Sequence, residues 1–290
     1  MLMLQARLGE GRNILPKHLG GVLHGFVERA VMEHANHLLP VLRPDGNDEY
    51  ASLAIEPPPY GMELTDELRF GVILFRDASQ SWGVIARALV QQTSSKLLNR
   101  NLNILQAWMV QPGGELQPAV LNDCMVDPLP WPESPSAWLR RMPQTSLDEE
   151  PQNNMHTLHF RSPLIVGGRN AIRRENMVPW PTLKTLLDSI SKRMLALEPE
   201  LAAHIGIATD WQAKAELDEV LPLTPPSSPA RQIEWQYSFK RNINKPGIVG
   251  VLIYHAPLNR TEVSLLEWGQ WLGVGQQTTM GCGRYIYRSN

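Results

Sequence analysis

Four of the eight histidines, His18, His24, His34 and His37, fall near the N-terminus. Imidazole titrates near neutrality, so one ring can take a proton and another can return it. A cluster of such rings suits general acid–base chemistry. The stretch "LPKHLGGVLHGFVERAVMEHANHLL", starting at Leu15, places apolar residues at Leu19, Leu23, Phe26 and Ala30, a spacing that predicts one long helix. On that helix His24 lies about 140° from Leu19, at the rim of the apolar stripe, where a ring can be packed and still reach a cleft. Taken singly, each ring can equally be a surface or core histidine satisfied by backbone. The pair His34-x-x-His37 has no third ligand nearby, so no metal site is assigned.

A second candidate closes the chain. "GVGQQTTMGCGRYIY", residues 273–287, carries two glycine pairs, Gly273 with Gly275 and Gly281 with Gly283. It follows a predicted helix and precedes a predicted strand. A dinucleotide-binding fingerprint has the opposite order, strand first, so that the helix N-terminus faces the pyrophosphate. A Walker A loop needs Lys and then Ser or Thr after its second glycine, and neither is here. Two readings stay open. The missing Cβ atoms could let a polyanion approach backbone N–H groups, or the glycines could only shape a turn between helix and strand.

The elements that must position these residues are legible from pattern. Over 290 residues, 43% are hydrophobic and 19% charged, a globular composition with room for two domains, each burying its own core. "MLMLQARL", the long helix, "YASLAIE", "LRFGVILF", a helix over "SWGVIARALVQQTSSKLL" and "NLNILQAWMV" give the order β-α-β-β-α-β. Residues 126–155 hold prolines, an acidic run and polar amides, and read as a linker between domains at 1–125 and 156–290. The second domain repeats the order: "HTLHFRSPLIV", "TLKTLLDSISKRMLAL", "RQIEWQYSF", "IVGVLIYHA", a helix over 260–272 and "GRYIYRS". Asn259 and Glu262 have the spacing of a capping box, with Leu265, Trp268 and Leu272 as the buried stripe. Trp271 reads as core in the same helix, and Cys282 as a small apolar filler. The fold class is α+β, two tandem ferredoxin-like (RRM-like) βαββαβ domains.

Bulk properties narrow the function classes. A net charge of −2 gives no global positive field for nucleic acid, so contacts with RNA or DNA must come from local patches. Cys124 and Cys282 are too few for a disulfide framework or a cysteine zinc site. No signal-like segment or membrane-length apolar run is present, and the expectation is a soluble, cytoplasmic protein with no membrane partner.

"GVGQQTTMGCG" resembles the signature Gly-hydrophobic-Gly, five residues, Gly-hydrophobic-Gly that ends the CRISPR-associated endoribonucleases. These enzymes cut repeat transcripts into guide RNAs and belong to the repeat-associated mysterious protein superfamily. "LGGVLHGF", "LHFRSPLIV", "TLKTLLDSISKRMLAL" and "QYSFKRNINKPGIVGVLIY" are similar to further stretches of that family. The resemblance runs from about residue 15 to 287 and is weakest over 111–155 and 198–230.

This resemblance implies two tandem ferredoxin-like domains and metal-independent cleavage without a cofactor. A ribose 2′-OH attacks the adjacent phosphate, leaving a 2′,3′-cyclic phosphate and a 5′-OH, which requires a base, an acid and stabilisation of the phosphorane. It implies His37 as general base, His34 as its substitute and His24 as partner acid, His24 standing where family members often have tyrosine. It also implies RNA contacts by Gly273, Gly275, Gly281, Gly283 and the residues between them. The family usually has Lys or Arg among the five central residues, whereas this chain has "QQTTM". Gln276, Gln277, Thr278 and Thr279 can hydrogen-bond a phosphate but cannot neutralise it. Arg169, Arg173, Arg174, Lys240, Arg241 and Lys245 would supply local positive charge, although basic residues are more often only solvated. The partners implied are CRISPR repeat RNA, its guide-RNA product and other subunits of an effector complex. The alternative is a non-catalytic RNA-binding subunit of the same superfamily. If Arg241 holds an RNA phosphate, Arg241→Ala weakens repeat-RNA binding and lowers the slope of log Kd against log salt by about 1, checked by filter binding over a salt series.

Overall fold

The computed structural model describes residues 1–9, 17–43, 51–62, 66–92, 96–97, 100–110, 116–121, 124–125, 154–166, 180–223, 230–238 and 243–289. The chain divides into two compact units, Met1–Gln144 and Thr145–Asn290. That division falls inside the expected linker, most of which lies outside the described residues.

In the first unit the described order is β1 (Leu2–Leu8), α1 (Gly20–His34), a 3-10 turn at Asn36–Leu38, α2 (Leu39–Leu42), β2 (Leu53–Glu56) and β3 (Glu67–Leu74). A 3-10 segment at Arg76–Ser81 leads into α3 (Trp82–Gln91), followed by β4 (Lys96–Leu97), β5 (Arg100–Val110), β6 (Leu116–Leu121) and β7 (Cys124–Met125). The sheet runs β2-β3-β1-β5-β6-β7 with antiparallel pairings, and β4 pairs with β5. Its first four strands have the ferredoxin-like order, and β6 and β7 extend it. Alternation in β1 sends Leu2, Leu4, Ala6 and Leu8 to one face, where they meet Leu23, Phe26, Val27, Ala30 and Val31 of α1. The apolar side of the helix faces the sheet, so sheet and helix bury their surfaces together.

The long N-terminal helix expected from periodicity is shorter than its pattern. It starts at Gly20 and ends at His34, and Ala35 leaves helical geometry with φ −150°. Pro40 accounts for the break. Continuing the helix would require an N–H from Pro40 to the Asn36 carbonyl, a donor that proline lacks, and its ring would clash with that carbonyl.

The second unit repeats the plan: β8 (Met155–Leu164), α4 (Leu183–Leu197), α5 (Pro199–His204), a 3-10 turn at Ala215–Asp218, β9 (Arg231–Ser238) and β10 (Ile243–His255). It closes with α6 (Arg260–Leu272), a 3-10 turn at Thr278–Met280 and β11 (Tyr285–Ser289). The sheet order is β11-β8-β10-β9, again antiparallel and ferredoxin-like. The expected capping box is present: Asn259 accepts from the Glu262 N–H at 2.9 Å, and Glu262 accepts from the Asn259 N–H at 2.8 Å. Leu265, Trp268 and Leu272 are buried. Trp271 is half-buried rather than core.

One buried polar contact ties β8 to β11. His156 is fully buried, with Nε2 3.1 Å from the Ala256 carbonyl and Nδ1 2.9 Å from the Tyr287 hydroxyl. A carbonyl only accepts, so Nε2 carries the proton and Nδ1 accepts from Tyr287. Burial holds the His156 pKa below its usual 6.5, more than the Ala256 hydrogen bond raises it, with nearby His255 also lowering it. Burial likewise pushes the Tyr287 phenol up to about 12. The unfolded chain therefore takes up a proton near pH 6.5 that the folded unit resists. Stability conferred by neutral His156 is present above pH 6.5 and is lost as pH falls below it. Thermal unfolding followed at pH 7.5, 6.5 and 5.5 shows a falling midpoint, and His156→Phe flattens that fall while costing about 1–3 kcal/mol at pH 7.5.

Candidate functional site

The N-terminal histidines separate into two groups. His24 sits on α1 between Leu23 and Phe26 on the buried side and is only 5% exposed. Its Nδ1 lies 3.5 Å from Oε2 of Glu28, one turn on, and Oε1 of Glu28 pairs with the Arg43 guanidinium. His18, just before the helix, is also buried. His34 is the last residue of α1, His37 lies in the 3-10 turn that follows, and both are exposed.

Ten residues separate His24 from His34, a rise of about 15 Å along the axis. Rings so far apart do not bracket one phosphate group, which needs donor and acceptor within hydrogen-bond reach of its oxygens. His34 and His37 are thus the exposed rings of this segment, and His24 the packed one. The helix break makes this arrangement, since it leaves both rings at an exposed helix end while Leu38 and Leu42 remain buried.

The C-terminal glycine loop is laced into the second unit by its own backbone. The Gly273 N–H donates to Gly269 O (2.8 Å), Gly275 N–H to Ser189 Oγ (3.0 Å), Gly281 N–H to Thr278 O (3.0 Å) and Gly283 N–H to Pro163 O (2.8 Å). The neighbouring Val274 and Gln276 N–H groups donate to Gly283 O (3.2 Å) and Ile165 O (2.9 Å). A Cβ at Gly283 would overlap the Val274 carbonyl, and one at Gly275 would overlap the Ile165 carbonyl. Both positions also have positive φ, +67° and +83°. Here glycine serves close backbone approach, and its N–H groups are already committed within the protein.

The N–H groups left over belong to the residues between the pairs. Gln277 is left-handed, with φ 57°, and its carbonyl accepts from both Met280 N–H (3.0 Å) and Cys282 N–H (3.2 Å). The N–H groups of Gln277, Thr278 and Thr279 take no backbone acceptor among the described residues. A left-handed residue followed by right-handed ones turns successive N–H groups toward one side, the geometry of an anion-binding concavity. The loop N–H groups without a backbone acceptor among the described residues are thus on its uncharged centre, where Thr278 and Thr279 are themselves buried.

Positive charge beneath the loop comes from residues that sequence reasoning missed. Arg193 of α4 and Arg284, the residue after Gly283, are both buried. Arg193 Nε donates to the Leu272 carbonyl at 3.0 Å, and Arg284 Nη1 donates to the Trp271 carbonyl. These are the last carbonyls of α6, where the helix dipole favours cations. Burial pushes the Cys282 thiol up to about 12, while Lys245 and Arg284 pull it the other way. Lys245, half-buried on β10, is the expected basic residue that lies in this region among the described residues. Arg169, Arg173, Arg174, Lys240 and Arg241 lie outside the described residues. A signal for Arg284 existed, its position directly after the glycine signature. For Arg193 there was none, since "SKRM" reads as the polar side of a helix.

Among the described residues no group of three His, Cys, Asp or Glu could hold a metal ion, and no helix is long and apolar enough to cross a membrane.

A pair of ferredoxin-like units, the second ending in a glycine-laced helix-to-strand loop, defines the class. Residues 158–285, nearly all of the second unit, match the family described as CRISPR-associated endoribonuclease Cas6. The fold is also that of solved Cas6 structures. A Cas6 product complex is 16% identical, with a TM-score of 0.60 and coverage of 99% of each chain. Thermus thermophilus Cas6 is 14% identical, with a TM-score of 0.53 and coverage of 99% of this chain and 97% of that one. The chain described as a partial Cas6-RT-Cas1–Cas2 complex is 13% identical, with a TM-score of 0.56, and this protein spans 45% of it. No curated protein matches the chain in sequence. The resemblance to the CRISPR-associated endoribonuclease family, read from the glycine signature, is borne out.

Gly283→Ala forces a methyl group against the Val274 carbonyl at positive φ and costs about 2–4 kcal/mol by combined strain and lost contact. Chemical denaturation shows the loss, and Gly25→Ala, where an added Cβ meets nothing within 4 Å, serves as the control.

Proposed function

We propose that this protein is a metal-independent endoribonuclease that binds a CRISPR repeat and cuts the precursor transcript at one linkage. The observation that carries this reading is the exposed His34 and His37 pair at the break after α1, in a chain whose second unit matches the Cas6 family. His37 takes the proton of a ribose 2′-OH as its oxygen bonds to phosphorus. His34, protonated, gives its proton to the departing 5′-oxygen as the P–O5′ bond breaks. The products are a 2′,3′-cyclic phosphate and a 5′-OH, and each transfer is worth about 10²- to 10⁴-fold. The N–H groups of Gln277, Thr278 and Thr279 hold a phosphate of the bound RNA, with Gln276 beside them and Lys245 nearby. The partners are the repeat RNA, the guide RNA retained after cutting and other CRISPR proteins, in the cytoplasm.

A non-catalytic RNA-binding subunit is the second reading. It is favoured by one observation, the absence of a cation between Gln276 and Met280. Incubation with repeat RNA in EDTA, beside RNA with a single 2′-deoxy nucleotide at the cut, separates the two. The nuclease gives a cyclic-phosphate product from the first RNA and none from the second, whereas tight binding without a cut establishes the subunit. His37→Ala lowers single-turnover cleavage about 10²- to 10⁴-fold with Kd changed less than about threefold. Equal losses in both would remove His37 from the chemistry.

A further inference from the structure

Glu28 is shared by two partners on opposite sides of a fold-back. Past His34 the chain reverses through Asn36–Leu38 and α2, and Arg43 returns to Glu28, six residues or about 9 Å before the end of α1. The reversing segment is too short to hold its own shape, since an isolated turn of helix is unstable. It is held by burial of Leu38 and Leu42, by Arg43 N–H to Leu39 O (3.0 Å), by Ser52 N–H to Leu42 O (2.8 Å) and by the Arg43–Glu28 ion pair. The first three bonds and contacts fix the buried side. On the more exposed side, the ion pair links the return of the segment to the body of α1.

The other oxygen of Glu28 faces Nδ1 of His24, whose ring is packed in the core. A buried ring cannot swing, so it restricts the carboxylate that it touches. The links run from buried His24 to Glu28, from Glu28 to Arg43, and from Arg43 to the segment that carries His37. We infer that Glu28 and Arg43 form a clamp that positions His37 for proton transfer, with His24 as its fixed end. On this inference Glu28 and Arg43 are positioning residues, acting through His37. The inference rests on the assignment of His37 as general base.

Misplacement of a reacting group by about 1 Å can cost up to 10²-fold in rate. In full-length protein, Glu28→Gln therefore lowers single-turnover cleavage of repeat RNA about 10- to 100-fold and leaves Kd within about twofold. Arg43→Ala does the same, Arg43→Lys restores most of the rate, and Glu28→Gln with Arg43→Ala is no worse than either alone because the two act as one unit. Hydrogen exchange at the Leu38 and Arg43 amides is faster in Glu28→Gln than in the parent. A Glu28→Gln protein with the parental rate, additive single-variant losses, or unchanged exchange at both amides would overturn the clamp. If exchange accelerates while His37→Ala still cuts normally, the clamp stands and the base assignment falls.

Discussion

Two stretches of backbone in the second unit approach so closely that no side-chain carbon fits between them, and much else follows from that constraint. Gly275 lies on the Ile165 carbonyl, and Gly283 lies on the Val274 carbonyl while donating to Pro163. The loop after α6 is thereby sewn to the end of β8 through main-chain groups. Such bonds depend on backbone position alone and tolerate almost any residue except at the contact points themselves. This explains how the four glycines can be fixed while the five residues between pairs are free to be "QQTTM". It also explains why the N–H groups without a backbone acceptor among the described residues fall on Gln277, Thr278 and Thr279, since every glycine N–H of the loop is already used within the fold.

The same constraint sets the electrostatics. A helix ending in a tight glycine turn leaves its last carbonyls facing inward, where water cannot satisfy them. Arg193 and Arg284 do so from within the protein, at a helix end whose dipole favours cations. A local positive environment then lies under a loop that has no charge of its own.

Several features were legible because they depend on neighbours in sequence. The alternation of β1, the capping box at Asn259 and the buried stripe of α6 are local patterns with periods of two or about 3.6 residues, and the structure has them where the sequence places them. The helix break after His34 was available from Pro40 but was outweighed by the apolar spacing before it. Strand β6 has no counterpart among the elements read from pattern, and Pro118 sits inside it. Proline cannot donate to a ladder, yet here it pairs with Trp108 beside a register shift, where the lost donor is tolerated.

The sequence by itself determined the element order, the tandem repeat of one topology and the identity of the glycine signature, because periodicity and turn chemistry act over a few residues. Tertiary structure decided which histidines are exposed, which N–H groups of the loop take backbone acceptors and which arginines are buried. Those outcomes depend on contacts between segments far apart in the chain: Arg43 with Glu28, Gly283 with Pro163, Arg193 with the end of α6. Residue type and spacing carry no record of such distances until the backbone has folded and the room for each side chain is fixed.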